Sequence, residues 1–216
     1  MKNAYLQEQG FSMLEHDFKL SCPLPLKKKL CHNVLSLKDF MCNIKKIIEC
    51  DKELVEDNFT THNIYGSNAI DEFKGSAFEI FVEYFIKTFS SDTRIGISDY
   101  HPWDSSEFGE DWGVDGIGKM NGSDRSVTVQ CKYRSNITSL LEANKDHISN
   151  FVAYTMTSKT FRDSQMYLFT TCKGLNINTH KHMYHESIFV FNYDKIKKVI
   201  GNNNSNFWKN FYNELI

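Results

Sequence analysis

The sequence predicts an α/β domain with a central mixed β-sheet flanked by helices, preceded by a partly helical N-terminal extension. Three observations predict it. A strong apolar helix pattern spans 68–89, a strand-like alternation brackets the tight-turn pair Asn121-Gly122, and further helix and strand signals then alternate. The length of 216 residues and the 41% hydrophobic share allow one well-buried core plus an extension.

In chain order, residues 1–34 mix charged, aromatic and Pro-containing pieces such as CPLPLKKKL without a sustained period, and read as an irregular or loosely docked arm. Leu37, Phe40, Ile44, Ile47 and Ile48, followed by Leu54 and Val55, stand at helical spacing and predict one amphipathic helix. TTHNIYGSN reads as a linker. Phe73, Ala77, Ile80, Phe81, Tyr84 and Phe85 then mark a second helix. RIGISDY is a first strand, and HPWDSSEFGEDW a loop. Val127 and Val129 alternate with Thr128 and Gln130 in a hairpin. DHISNFVAYTM is a helix, QMYLFTT a buried strand, SIFVF another strand, and YDKIKKVI and NFWKNFYNEL terminal helices. The domain limits follow: an extension over 1–66, the α/β domain over 67–200 and a C-terminal helix over 201–216.

The formal net charge of −2 supplies no bulk attraction to nucleic acid or anionic membranes, so any nucleic-acid contact needs a local basic patch. The six cysteines lack C-x-x-C spacing, which argues against a zinc ribbon or a dense disulfide scaffold and for reduced thiols. The first residues carry no apolar core flanked by positive charge, and no run is long enough to span a membrane. The expectation is a soluble, intracellular protein, in cytoplasm or nucleus or encoded by a phage or virus, with no membrane partner.

The hairpin carries the chemistry. A connection centred between Gly122 and Ser123 pairs residues whose numbers sum to 245, which sets Asp115 across from Gln130 and puts Lys132 on the same side as Gln130. Cys131 and Val129 then face the other way. A carboxylate, an amide oxygen and an ammonium together suit phosphodiester hydrolysis assisted by a hard divalent cation. Asp115 is the anionic ligand, Gln130 and the Cys131 backbone carbonyl are neutral oxygen ligands, and Lys132 stabilises charge on the phosphate. A second carboxylate would come from Glu79 or Glu83, one turn apart on the preceding helix. The helical wheel leaves Glu79 open between a solvated face and a sheet edge.

These residues resemble the Mrr-like branch of the PD-(D/E)XK, restriction-endonuclease-like nucleases. The likeness rests on GSAFE at 75–79, DWGVD at 111–115 and VQCKYRS at 129–135, in that order, and it covers roughly residues 70–175. It implies a restriction-endonuclease-like core and a Mg2+-dependent endodeoxyribonuclease, with Mn2+ able to substitute. It makes Asp115 the central metal ligand, Lys132 the catalytic lysine, Gln130 the replacement for the usual second acidic residue and Glu79 the helix carboxylate. Asp111 matches a recurrent acidic position. The implied partners are DNA and, for a double-strand break, a second copy in a homodimer.

Taken alone, Asp115 and Lys132 read first as a cross-strand ion pair. Gln130, the flanking glycines and the order of the motifs move the reading to catalysis. Lys132, Tyr133 and Arg134 form a basic and aromatic cluster for the sugar-phosphate backbone, which Lys145 and Lys173 extend. His180, His182 and His185 read as a surface loop, the lysines of LPLKKKL as a solvated turn, and Phe207, Trp208, Phe211 and Tyr212 as a face docked on the core or on another copy. Two readings compete with the nuclease: a catalytically weak or inactive DNA-binding module of the same fold, with Gln130 as its symptom, and a structure-selective resolvase of branched DNA.

Overall fold

The hairpin forms in the expected register. In the computed structural model, β2 (Gly116–Met120) runs antiparallel to β3 (Ser126–Lys132), with Gly116 opposite Val129 and Lys119 opposite Ser126, the sum of 245 throughout. Residues 13–59, 68–109, 112–143, 145–176, 188–201 and 204–216 are described. Asp111 and the histidines of 180–185 lie outside them, as does nearly all of the expected linker. The chain divides into two compact units, one of Met1–Tyr84 with Ile200–Ile216, the other Phe85–Val199. The expected boundary stood at residue 67; the division instead falls within a long helix.

The unit Phe85–Val199 is built on a five-stranded mixed sheet of order β1-β2-β3-β5-β7. β1 (Ile97–Pro102) joins the hairpin antiparallel, whereas β5 (Gln165–Thr170) and β7 (Ile188–Phe191) add in parallel. β5 reads QMYLFT and is buried along its whole length, as a parallel strand covered on both faces must be. A two-stranded parallel pair, β4 (Leu140–Leu141) with β6 (Gly174–Leu175), was not anticipated, because two residues carry no readable period.

The crossover between β3 and β5 is the expected helix, Ile148–Thr157. It packs Ile148, Phe151 and Val152 on Val114, Met166, Leu168 and Cys172, forming the core of one sheet face. On the other face Phe85 meets Phe169 edge-on at 6.1 Å, and Phe169 stacks on Phe191 at 5.0 Å. The expected terminal helix Tyr193–Ile200 follows β7, and a single turn at Ser105–Phe108 lies within the loop after β1.

Among the described residues the helices, in chain order, are α1 (Phe18–Ser21), α2 (Leu24–Leu30), α3 (Leu37–Cys50), α4 (Lys52–Asn58), α5 (Ala69–Thr88), α6 (Ser105–Phe108), α7 (Ile148–Thr157), α8 (Tyr193–Ile200) and α9 (Ser205–Leu215). α1–α4, most of α5 and α9 make the helical unit, whose core joins Phe40, Phe81, Trp208 and Phe211 through ring contacts of 5.4–6.3 Å. The aromatic face of α9 therefore docks on this core.

Two expectations are corrected here. The single helix predicted over residues 37–55 is two, α3 and α4, because Asp51 leaves helical geometry at φ −130° and its carboxylate pairs with Lys29. The arm, where described, is not loose: Phe18, Leu26 and Leu30 are fully buried. Proline at the start of α2 hid a helix whose seven residues are too few to show a period. Among the described residues no helix is long and apolar enough to cross a membrane.

Candidate active site

The residues of interest gather where the hairpin opens. β2 begins at Gly116, so Asp115 stands one residue before the ladder. Its backbone N–H donates to the Val129 carbonyl at 2.8 Å, and its own carbonyl accepts from Trp103 N–H at 3.1 Å. The Asp115 carboxylate then fills the next rung by accepting from the Cys131 backbone N–H through Oδ2. Asp115 is thus fixed by both its main chain and its side chain. In a strand the N–H and C=O of one residue point to the same edge, so the Cys131 carbonyl is presented on the side where Asp115 lies.

Thr128, Gln130 and Lys132 share the opposite pleat from Val127, Val129 and Cys131. Thr128 shows which face that is, since its hydroxyl lies 3.3 Å from the Thr155 hydroxyl of α7. Gln130 is fully buried on that face, and neither its amide oxygen nor its amide nitrogen has a hydrogen-bond partner among the described residues. A buried amide left in that state is costly unless something else binds it. Lys132, at the end of β3, is half-buried, and among the described residues its ammonium has no ion-pair or hydrogen-bond partner.

Gly113 holds this corner open. It adopts φ +93°, and a Cβ there would lie 2.9 Å from Gln130 Nε2 and 3.6 Å from Phe151. Gly116 is equally constrained, since a Cβ would meet the Tyr100 ring and hydroxyl at 2.3–2.6 Å. Neither requirement was read from the sequence, where the only signal was glycine flanking the aspartate of DWGVDG.

A divalent cation fits the donor set of this corner. It offers the Asp115 carboxylate, the unpartnered Gln130 amide oxygen and the Cys131 carbonyl, all oxygens, which suit Mg2+ or Mn2+ rather than a thiophilic metal. Among the described residues there is no cluster of three or more His, Cys, Asp or Glu side chains.

The helix carboxylates are both engaged within the helical unit. Glu83 is fully buried and accepts from Glu15 N–H at 2.7 Å and His16 N–H at 3.0 Å, one oxygen each. Glu79 is partly exposed and pairs with His16 Nε2 at 2.9 Å. Burial lowers the His16 pKa, but the hydrogen bond and charge of Glu79 and the charges of Glu83 and Asp17 outweigh it and leave it raised. His16 was not singled out from the sequence, because one histidine in an aperiodic arm gives no signal.

Of the residues expected to meet DNA, Lys145 and Lys173 are exposed. Tyr133 is buried, and the Arg134 guanidinium donates to the Tyr133 carbonyl at 2.7 Å and pairs with buried Asp146. Thr171 completes this network, its hydroxyl accepting from Arg134 N–H at 2.6 Å and donating to the Arg134 carbonyl at 2.8 Å. Arg134 and Tyr133 therefore shape the chain that leaves β3.

A family model described as a restriction endonuclease, an Mrr-type catalytic domain, matches residues 92–209, more than half of the chain. The match takes in Asp115, Gln130 and Lys132 and begins after Glu79. The search of curated proteins found no match.

Proposed function

The chain belongs to the restriction endonuclease family of Mrr-type catalytic domains, and from that premise we propose that it is a Mg2+-dependent endodeoxyribonuclease that hydrolyses DNA phosphodiester bonds. The observation that carries the reading is the open end of the hairpin, where an anchored carboxylate, an unpartnered buried amide and an unpaired ammonium come from one short stretch. An ordinary cross-strand ion pair would have engaged Lys132, and an ordinary core glutamine would have its amide bonded.

In this mechanism Asp115, the Gln130 amide oxygen and the Cys131 carbonyl would hold the cation. The cation, when bound, polarises a phosphate oxygen and the attacking water. The Cys131 N–H keeps one Asp115 oxygen oriented while the carboxylate stays acceptor-only. Lys132 contributes a compact positive charge that stabilises the charge developing on the phosphate and orients the water. Lys145 and Lys173 meet backbone phosphates, and Arg134 sets the position of that segment through Asp146. On the preceding helix Glu79 is paired with His16 and Glu83 is committed to two backbone donors, so Glu79 enters only as what the family likeness suggests.

The test is cleavage of supercoiled, linear, single-stranded and branched DNA in Mg2+, Mn2+ or EDTA by the wild type, Asp115→Ala, Lys132→Ala and Glu79→Ala. Metal-dependent cutting that falls by roughly 100-fold or more in Asp115→Ala and Lys132→Ala, with melting temperature retained, is the expected result. Well-folded protein that binds DNA and cuts none of these substrates would replace the nuclease by a binding module, and exclusive cutting of branched DNA would make it a resolvase.

A further inference from the structure

β5 closes on two threonines that packing alone does not ask for. Its sequence QMYLFT is apolar or aromatic from Met166 to Phe169, and Thr170 and Thr171 then follow, both fully buried. A buried hydroxyl is costly unless it is bonded, so the partners of these two are informative. Both reach across to the backbone of β3, at Lys132 and just beyond it.

In the parallel register Thr170 stands beside Lys132, as Leu168 stands beside Gln130, so Thr170 lies on the sheet face of Gln130 and Lys132. The Thr170 hydroxyl accepts from Cys172 N–H at 3.3 Å and donates its single hydrogen to the Lys132 carbonyl at 2.7 Å. The ladder serves that carbonyl only through Thr171 N–H, at a long 3.4 Å. Past this rung the Thr171 hydroxyl stands in for the main chain: it accepts from Arg134 N–H at 2.6 Å and donates to the Arg134 carbonyl at 2.8 Å. Side chains of the neighbouring strand thus hold the β3 backbone where its own ladder runs out.

We infer that Thr170 is a positioning residue for Lys132, its hydroxyl fixing the backbone from which the lysine side chain starts. The inference rests on the reading of Lys132 as the group that stabilises charge on the phosphate. A lysine is a point charge on a flexible four-carbon stem, without the rigid fork of arginine, so its placement depends on where the stem begins. Stabilising a transition state requires that charge to be in place beforehand, and a displacement of about 1 Å can cost on the order of 100-fold in rate. Thr171 steadies the same segment two residues on, through Arg134.

The experiment is single-turnover cleavage, by excess enzyme at saturating Mg2+, of a labelled DNA that the wild type cuts, with affinity read separately by fluorescence anisotropy in EDTA. Thr170→Val removes the hydroxyl and keeps the β-branch, whereas Thr170→Ser keeps the hydroxyl. Thr155→Val is the control, because it removes another buried hydroxyl, one that lies 3.3 Å from Thr128 further back along β3. Thr170→Val is expected to lower the cleavage constant roughly tenfold at unchanged DNA affinity, and Thr170→Ser to stay within about twofold of wild type. Thr155→Val loses melting temperature as Thr170→Val does and keeps the full rate. Should Thr170→Val melt below the assay temperature, Thr170→Ser and Thr170→Ala, which differ by the hydroxyl alone, make the same comparison.

A wild-type rate in Thr170→Val overturns the inference, as do equal rates in Thr170→Ser and Thr170→Ala. A loss matched by Thr155→Val overturns it too, since the rate would then follow stability, and so does a loss confined to DNA affinity. Cleavage that needs Asp115 and Lys132 but ignores Thr170 removes the positioning role alone. Cleavage indifferent to Asp115 and Lys132, or a wild type that cuts no DNA, overturns the catalytic reading and this inference with it.

Discussion

Gly113 shows how much of the site rests on a residue with no chemistry of its own. Its φ of +93° is a conformation that side-chain-bearing residues rarely adopt, and its missing Cβ leaves room for the Gln130 amide. Gly113→Ala should therefore cost about 1–3 kcal/mol in stability and, by displacing Gln130, lower cleavage by roughly tenfold or more. The control is Gly122→Ala, because Gly122 has a similar φ of +72° with nothing within 4 Å of its missing Cβ. Denaturant melts and initial rates of both variants decide it: equal losses would mean that Gly113 relieves backbone strain and does not support Gln130. The placing of Asp115, Gln130 and Lys132 at one end of the hairpin was legible in the sequence, because the turn and a period of two suffice to set the register. Gly113 and His16 were not, since positive φ and a contact from residue 16 to residue 79 leave no trace in local pattern.

At the scale of elements, the hairpin register was legible because its turn is short and marked, and a slip by one would have exchanged the faces taken by Val127 and Val129 and by Thr128 and Gln130. The α3–α4 break was not, because apolar spacing continues across Asp51 while only the backbone departs from the helix. α2 has a further consequence through its two ends. Cys22 precedes it, Cys31 caps it, and burial pushes both thiols up to about 12 from an ordinary value near 9, with Cys22 adding to the effect on Cys31. A pKa raised on folding means that the folded state favours the neutral thiol. Its stabilising contribution is complete below about pH 9 and is lost as pH rises towards 12. Stability should accordingly fall over that window. Mass-resolved alkylation at about pH 8.5 should label exposed Cys42 and Cys50 well before Cys22 and Cys31. Equal rates at the four positions would show that α2 opens readily and that its docking is weak.

For the whole molecule the question is how a one-stretch site handles two strands. Asp115, Gln130, Cys131 and Lys132 all come from one hairpin, so under the proposed function each copy of the chain would bring one such set to one phosphodiester bond. Cutting both strands in a single encounter then needs two copies, which related by a two-fold axis would present their sites to strands of opposite polarity. We therefore expect a homodimer on DNA, and its activity should reveal it. Supercoiled plasmid should pass directly to linear product with wild type, whereas wild type mixed with excess Asp115→Ala should yield nicked circles, because most active copies would be paired with an inactive one. The measurement is the ratio of nicked to linear product as the inactive variant is titrated at constant wild type. A ratio that stays flat, with linear DNA arising only from nicked circles released earlier, would show that single copies act independently and that a second cut is simply a second encounter.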